Sequence, residues 1–210
     1  MITVDEPRPV IDHAAVISRM IEACREAIAE READLCDLDR AIGDGDHGTN
    51  LRRGLDALAA ESRQLATMPP ADALMAAGTT LVMNIGGAAG PLYGTLLLEL
   101  GAALRRTSNW PNALSQAVAA VARRGKSSTG EKTLLDVLYP LSDEVIRHTP
   151  LHLLAQHVQG FAEMTIDMKA MRGRASFLGE RSIGHMDPGA ASCALLAATI
   201  CRELTEAGIE

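Results

Sequence analysis

Residues 11–28 read IDHAAVISRMIEACREAI, and the spacing of their apolar side chains decides the fold. Ile17, Met20, Ile21, Cys24, Ala27 and Ile28 recur at steps of three and four, which lines one face of an α-helix and cannot line one face of a strand. Seven further segments repeat the pattern. They begin near Asn50 (Leu51, Leu55, Leu58, then Leu65), Ala71 (Leu74, Ala77, Leu81), Pro91 (Leu92, Leu96, Leu100, Leu104) and Pro111 (Leu114, Val118, Val121). The last three begin near Thr133 (Leu134, Leu138, Leu141, Val145), Leu151 (Leu154, Val158, Phe161) and Gly189 (Leu195, Leu196, Ile200). No stretch alternates with period two over a strand's length, so the pattern predicts an all-α bundle of eight helices. Composition agrees: Ala and Leu dominate a hydrophobic content of 47%, and the aromatics are Trp110, Tyr93, Tyr139, Phe161 and Phe177 alone. That mixture packs helices, whereas strands favour β-branched and aromatic residues.

A chain of 210 residues is long enough for a sizeable core and short for two domains, so one unit spanning 1–210 is expected. Its 20 Lys and Arg against 27 Asp and Glu leave a net charge of -7, which repels phosphate backbones and anionic lipid and argues against a nucleic-acid binder. Cys24, Cys36, Cys193 and Cys201 form no C-x-x-C pair and fall in helical segments, the pattern of free thiols in a reducing cytoplasm. The N-terminal MITVDEPRPVID carries Asp5 and Glu6 and has no apolar core, so no secretory signal is expected. Between Asp72 and Glu99 there is no charge, enough length to cross a bilayer. Asn84, Gly86, Gly87, Gly90 and Pro91 split that stretch, which therefore reads as two buried helices joined by a glycine loop, with no membrane span.

The links between segments sort into two kinds. Those after the second, fourth and sixth segments are plain breaks: Met68-Pro69-Pro70, Asn109-Trp110-Pro111 and His148-Thr149-Pro150. Those after the first, third, fifth and seventh read DLDRAIGDGDHGTN (37–50), NIGGAAGP (84–91), RRGKSSTGEKT (123–133) and MRGRASFLGERSIGHMDPG (171–189), rich in glycine, charge and hydroxyls. In an up-and-down bundle all links after odd-numbered helices lie at one end, so four chemically loaded loops are expected on a single rim.

The first of these loops gathers Asp37, Asp39, Asp44 and Asp46, just after Asp34. Repulsion of about 1 kcal/mol per close exposed pair opposes such a cluster unless a cation offsets it, and an all-oxygen set with one neighbouring His suits Mg²⁺. A solvated acidic turn with Asp capping the next helix explains the composition equally well. An EF-hand does not fit: position twelve is Gly48 counted from Asp37 and Leu55 counted from Asp44, so the bidentate Glu is missing. GDGDHG (43–48) spells G-x-G-x-x-G but follows a helix instead of a strand. Gly125-Lys126-Ser127 mimics the end of a P-loop, yet Ala120 stands where its first glycine belongs. His47 adjoins the acidic cluster as a helix-start residue within reach of metal, phosphate or base, whereas His148 and His152 complete no zinc motif and read as surface residues. GGAAGP opens into a helix whose free N–H groups can hold an anion or simply cap and pack. The last loop supplies Arg172, Arg174 and Arg181, and Asp187-Pro188-Gly189 starts the final helix with Asp187 as its N-cap. Carboxylates, backbone N–H groups and arginines on one rim are the parts of a Mg-nucleotide phosphate site.

LDRAIGDGDHGTN, GGAAGPLYGT, GEKTLLDVLYP and above all MRGRASFLGERSIGHMDPGA closely resemble, in the same order, the nucleotide-binding L subunit of dihydroxyacetone kinases, DhaL. The resemblance implies an antiparallel eight-helix barrel with a Mg²⁺-bound adenine nucleotide, ADP or ATP, at one end. It makes Asp39, Asp44 and Asp46 the ligands of two Mg²⁺ ions. It places His47, Gly48, Thr49 and Asn50 along the nucleotide, Ala88 and Ala89 at its phosphates, and Gly125 and Leu134 beside its base. Arg174 would offset phosphate charge during transfer, and Asp187, Pro188 and Gly189 would close the site. The chain departs from relatives that read GGASG, because Ala89 has no hydroxyl, and Met83-Asn84 stand where small hydroxyl residues are common.

The same resemblance implies a division of labour. A separate K subunit holds the hydroxyketone, and the chain has no room for that function. The bound ADP is then recharged by a phosphohistidine protein of the phosphotransferase system, or ATP exchanges freely. The acceptor is dihydroxyacetone or another short ketose such as a tetrulose. A reading of a different class is a nucleotide-sensing module that docks on a transcription regulator. A lipid kinase with a related domain needs several hundred more residues.

Overall fold

The computed structural model describes residues 12–209, so Ile11 and the N-terminal stretch expected to lack a secretory signal lie outside the described residues. Ten α-helices are found there instead of eight, with no strand among the described residues: α1 (His13–Glu30), α2 (Glu32–Ile42), α3 (His47–Ala60), α4 (Ser62–Ala66), α5 (Pro70–Asn84), α6 (Ala89–Leu104), α7 (Trp110–Gly125), α8 (Leu135–Ile146), α9 (Leu151–Glu163) and α10 (Pro188–Glu206). The two additional helices come from interruptions at Arg31 and Glu61, where φ widens to -107° and -97° and ψ rises to 11° and -1° without a glycine or proline. α1 and α2 together form one bent arm, because the Arg31 N–H still bonds Ala27 and the Arg31 carbonyl accepts from Leu35. One apolar seam runs its length through Ile28, Leu35 and Ile42, all buried.

This arm corrects the reading of 37–50 as a loop. Asp37, Asp39 and Arg40 ride on the exposed side of α2, His47 to Asn50 form the first turn of α3, and only residues 43–46 are non-helical between them. Other boundaries differ by one to three residues. α6 starts at Ala89, so Pro91 is its third residue, still within the turn whose N–H groups need no intrahelical partner.

The helices close into a ring: α1 packs on α3, α3 on α5, each helix from α5 to α9 on its successor, and α10 on both α9 and α1. Ion pairs give the sense of packing. Glu32 meets Arg52 and Arg25 meets Asp56, so the α1/α2 arm runs antiparallel to α3, and Arg19 meets Glu203 across α1 and α10. The charge-free stretch becomes the α5–α6 hairpin, whose backbones approach so closely that a Cβ at Gly78 would lie 2.9 Å from the Gly94 carbonyl oxygen and one at Gly94 2.8 Å from that of Gly78. No helix among the described residues is long and apolar enough to cross a membrane. Aliphatic side chains from nearly every helix fill the centre, including Ile28, Leu51, Val118, Val121, Val137 and Val158. All four cysteines are buried and unbridged.

Candidate functional site at one rim of the ring

The four loaded links do meet at one end. Arg174 of the last link reaches Asp44 of the first at 2.6 Å, and Gly86 of the second lies against Asn50 of α3. Leu134, directly after the third, approaches Gly189 at the start of α10. At the opposite end Arg105 pairs with Asp72, and His148 and Trp110 line one shallow cleft; both His148 and His152 are exposed, as expected.

The acidic turn is built by one of its own carboxylates. Asp39, in the last turn of α2, uses Oδ2 to accept the backbone N–H groups of Gly45 at 2.8 Å, Asp46 at 2.9 Å and His47 at 3.3 Å. That wrapping requires the left-handed Gly45, at φ +81°, where a side chain is strained. It brings oxygens of Asp39, Asp44 and Asp46 within 4.8 Å of one another. Asp46 stands at the N-cap position of α3, yet its carboxylate makes no cap hydrogen bond. Capping therefore does not account for this Asp, and its oxygens are left to solvent. Asp37 instead pairs with Arg40 outside the cluster. The donor set is all oxygen, closely spaced and accessible, which fits a hard divalent cation that keeps some of its water.

His47 is turned inward. Its Nε2 lies 2.8 Å from Ser192 Oγ of α10, and Ser192 Oγ lies 2.7 Å from the hydroxyl of buried Tyr93 in α6. Burial pulls the His47 pKa down, while Asp39, Asp46 and a hydrogen bond to the Pro188 carbonyl oppose that shift. Gly48 is buried against the Glu32 carbonyl, Thr49 donates to Glu32 at 3.0 Å, and Asn50 is buried. Gly87 takes φ +65° so that the chain can turn into α6, leaving the N–H groups of the Ala88–Ala89 turn facing out of the helix end. Gly125, the last residue of α7, lies against Leu92, and buried Leu134 leads into α8.

Asp187 caps α10 through a 2.7 Å bond from Ala190 N–H, the predicted role. Desolvation pushes its pKa up to about 7; the cap bond and Lys132 oppose the shift, and Asp136 and Asp39 reinforce it. Pro188 and Gly189 form the first turn behind it. Of the three loop arginines, only Arg174 pairs with the acidic turn, whereas Arg172 is held by Glu131 at 2.9 Å. Short 3-10 turns over Met164–Asp167 and over Arg174–Ser182, the latter broken by a kink at Gly179 (φ +59°), give this long link more order than its glycines suggested.

Lys132 was missed by sequence reasoning. It has positive φ, is 2% exposed and donates from Nζ to the carbonyls of Thr165 and His185, tying both ends of the last link to the third. Thr165 in turn accepts the Asp187 N–H at 3.0 Å. Tyr93 and Ser192 were missed as well, because nothing in their local sequence separates a buried hydroxyl pair from ordinary core.

Fold and rim together define a class: an all-helical closed ring carrying a three-carboxylate cluster beside a glycine loop. Residues 41–202 match the family model of the DAK2 domain. The chain is 42% identical over 175 residues to the "PEP-dependent dihydroxyacetone kinase 1, ADP-binding subunit DhaL" of Listeria innocua, covering 81% of this chain and 87% of that protein. It is 37% identical over 189 residues to the corresponding ADP-binding subunit of Escherichia coli, covering 84% and 90%. The fold matches the crystal structure of the C. freundii dihydroxyacetone kinase in complex with AMP-PNP and Mg²⁺, with a TM-score of 0.73, 22% identity, and coverage of 96% of this chain and 37% of that one. The chain belongs to the DhaL family of the DAK2 domain, whose members are kinase subunits and hence phosphotransferases.

Proposed function

We propose that this chain, as one unit over residues 1–210, binds ADP or ATP with two Mg²⁺ ions at the rim. There it serves as the phosphoryl-donor subunit of a kinase for dihydroxyacetone or a similar short ketose. The observation that carries the reading is the cluster itself: Asp39, Asp44 and Asp46 within 4.8 Å, with the Asp46 carboxylate spent on no cap. In this reading the three carboxylates hold the ions, which supply positive charge beside the phosphates. The chain's own groups do the positioning. N–H groups of the Ala88–Ala89 turn receive phosphate oxygens, and Arg174, paired with Asp44 at an exposed site, turns to the phosphates when they arrive. His47 to Asn50, Gly125 and Leu134 line the nucleotide, and Asp187 to Gly189 border it.

The relatives named above are PEP-dependent and ADP-binding, which favours recharging of bound ADP through a phosphohistidine protein of the phosphotransferase system over free exchange of ATP. A separate K subunit carries the ketose, and buried free thiols suit a cytoplasmic protein. Thermal melts test the nucleotide site, because a ligand bound to the native state alone raises its melting temperature. ADP with Mg²⁺ should raise the melting temperature by several degrees and EDTA should abolish the rise; superimposable curves would overturn the reading.

A further inference from the structure

Arg53, in α3, lies one turn beyond Asn50 and is absent from every role assigned so far. Its Nε donates to the Asn84 carbonyl at 2.8 Å, and its Nη2 donates to Asn50 Oδ1 at 3.0 Å. One guanidinium thus ties the end of α5, where the glycine loop begins, to a side chain expected to face the nucleotide. A guanidinium has donors only, so the Asn50 amide must present its oxygen to Arg53 and its NH₂ to the other side. Asn50 is 9% exposed, and its Nδ2 donates to nothing among the described residues. Ser127 Oγ is the one enclosed side-chain polar atom without a partner among them, so the Asn50 NH₂ is open to solvent. A Cβ at Gly86 would lie 2.5 Å from Asn50 Oδ1 and 2.9 Å from Arg53 Nη2, so the glycine loop rests directly on this pair. Ala89 has no hydroxyl to offer, and the Asn50 NH₂ is a side-chain donor beside the loop that no protein acceptor among the described residues takes up.

We propose that Arg53 is a positioning residue for nucleotide phosphate. Its fork orients the Asn50 NH₂, and through Asn84 the glycine loop, toward the phosphate oxygens of the nucleoside diphosphate. The inference rests on the nucleotide reading given above and is tested with ADP and adenosine, each with Mg²⁺, against wild type, Arg53→Lys and Asn50→Asp. A lysine ammonium carries its donors on one nitrogen and cannot reproduce the planar fork that sets Nε on Asn84 apart from Nη2 on Asn50. Arg53→Lys should weaken ADP at least fivefold and leave adenosine, which has no phosphate, within twofold. Asn50→Asp keeps an oxygen for Arg53 but turns an anionic oxygen toward the phosphates. It should weaken ADP at least tenfold with adenosine unchanged and with a melting temperature in EDTA no lower than wild type. Arg53→Lys binding ADP like wild type, or either variant losing ADP and adenosine equally, would overturn the role of Arg53 alone. A wild-type chain that binds neither ligand would overturn the nucleotide reading with it.

Discussion

Asp46 caps nothing, and this separates its two possible uses. Without metal it adds repulsion to Asp39 and Asp44 and contributes no hydrogen bond that the fold needs. Asp46→Asn should therefore leave helicity intact and hold or slightly raise stability in EDTA, within about 0.5 kcal/mol, as exposed substitutions usually do. It should at the same time abolish most Mg²⁺-dependent ADP affinity in calorimetry. A variant that unfolds would show the cluster to be structural. Asp12→Asn is the control: Asp12 caps α1 by accepting from Ala14 and Ala15, each at 3.1 Å, and Asn caps equally well. Lys132 is the opposite case to Asp46. Its ammonium is enclosed and satisfies two carbonyls, and each hydrogen bond to a charged group contributes roughly 1.5–3 kcal/mol. Lys132→Met strands both acceptors, and chemical denaturation should show a loss of about 2–4 kcal/mol.

At the scale of elements, the N-terminus of α10 couples folding to pH. Asp187 accepts a cap bond there, yet desolvation and the nearby Asp136 and Asp39 carboxylates raise its pKa from 3.8 to about 7. The fold therefore prefers the protonated form. The resulting stabilisation is complete below about pH 4, where folded and unfolded chains both carry the proton, and is lost as pH rises toward 7. Across that window wild type should lose stability relative to Asp187→Asn with a slope of at most about 1.4 kcal/mol per pH unit. Urea titrations without Mg²⁺ measure it, and parallel curves for the two proteins would remove Asp187 as the cause. The same helix shows how far a sequence reaches. Its start was legible, because Asp-Pro-Gly is a cap signal, and so were the type of every long helix and the gathering of four links on one rim. The α1/α2 arm was legible in part: the seam of Ile28, Leu35 and Ile42 continues the periodicity, but the density of Asp and Gly over the same residues is also the signature of a loop. Two things had no local signal. The breaks at Arg31 and Glu61 involve neither Gly nor Pro, and the contact of His47 with Ser192 joins residues 145 apart. A buried lysine in a polar loop is equally silent, since burial of Lys132 is imposed by the last link folding over it.

For the whole molecule, ring closure fills the centre with aliphatic side chains, so in the proposed function the chemistry falls to one end and a ketose would come from outside that rim. Phosphoryl transfer needs donor and acceptor held in line with positive charge around the moving group. The rim supplies the acidic cluster, Arg174 and backbone N–H groups, and the four links at that end present nothing recognisable that would hold a small hydroxyketone. The purified chain with ATP and Mg²⁺ should therefore leave dihydroxyacetone unphosphorylated, within the background of a protein-free reaction. Adding a K subunit should restore transfer, and the donor route separates in the same assay. A chain holding ADP tightly should require PEP and the phosphohistidine protein, whereas a chain that exchanges nucleotide should run on ATP alone. Arg174→Ala tests where the transfer happens: in the reconstituted system it should lower turnover by at least tenfold while ADP affinity changes less, because its charge matters most when the phosphoryl group moves. Turnover by the isolated chain at rates near those of the mixture would place an acceptor site within these 210 residues and refute the division of labour.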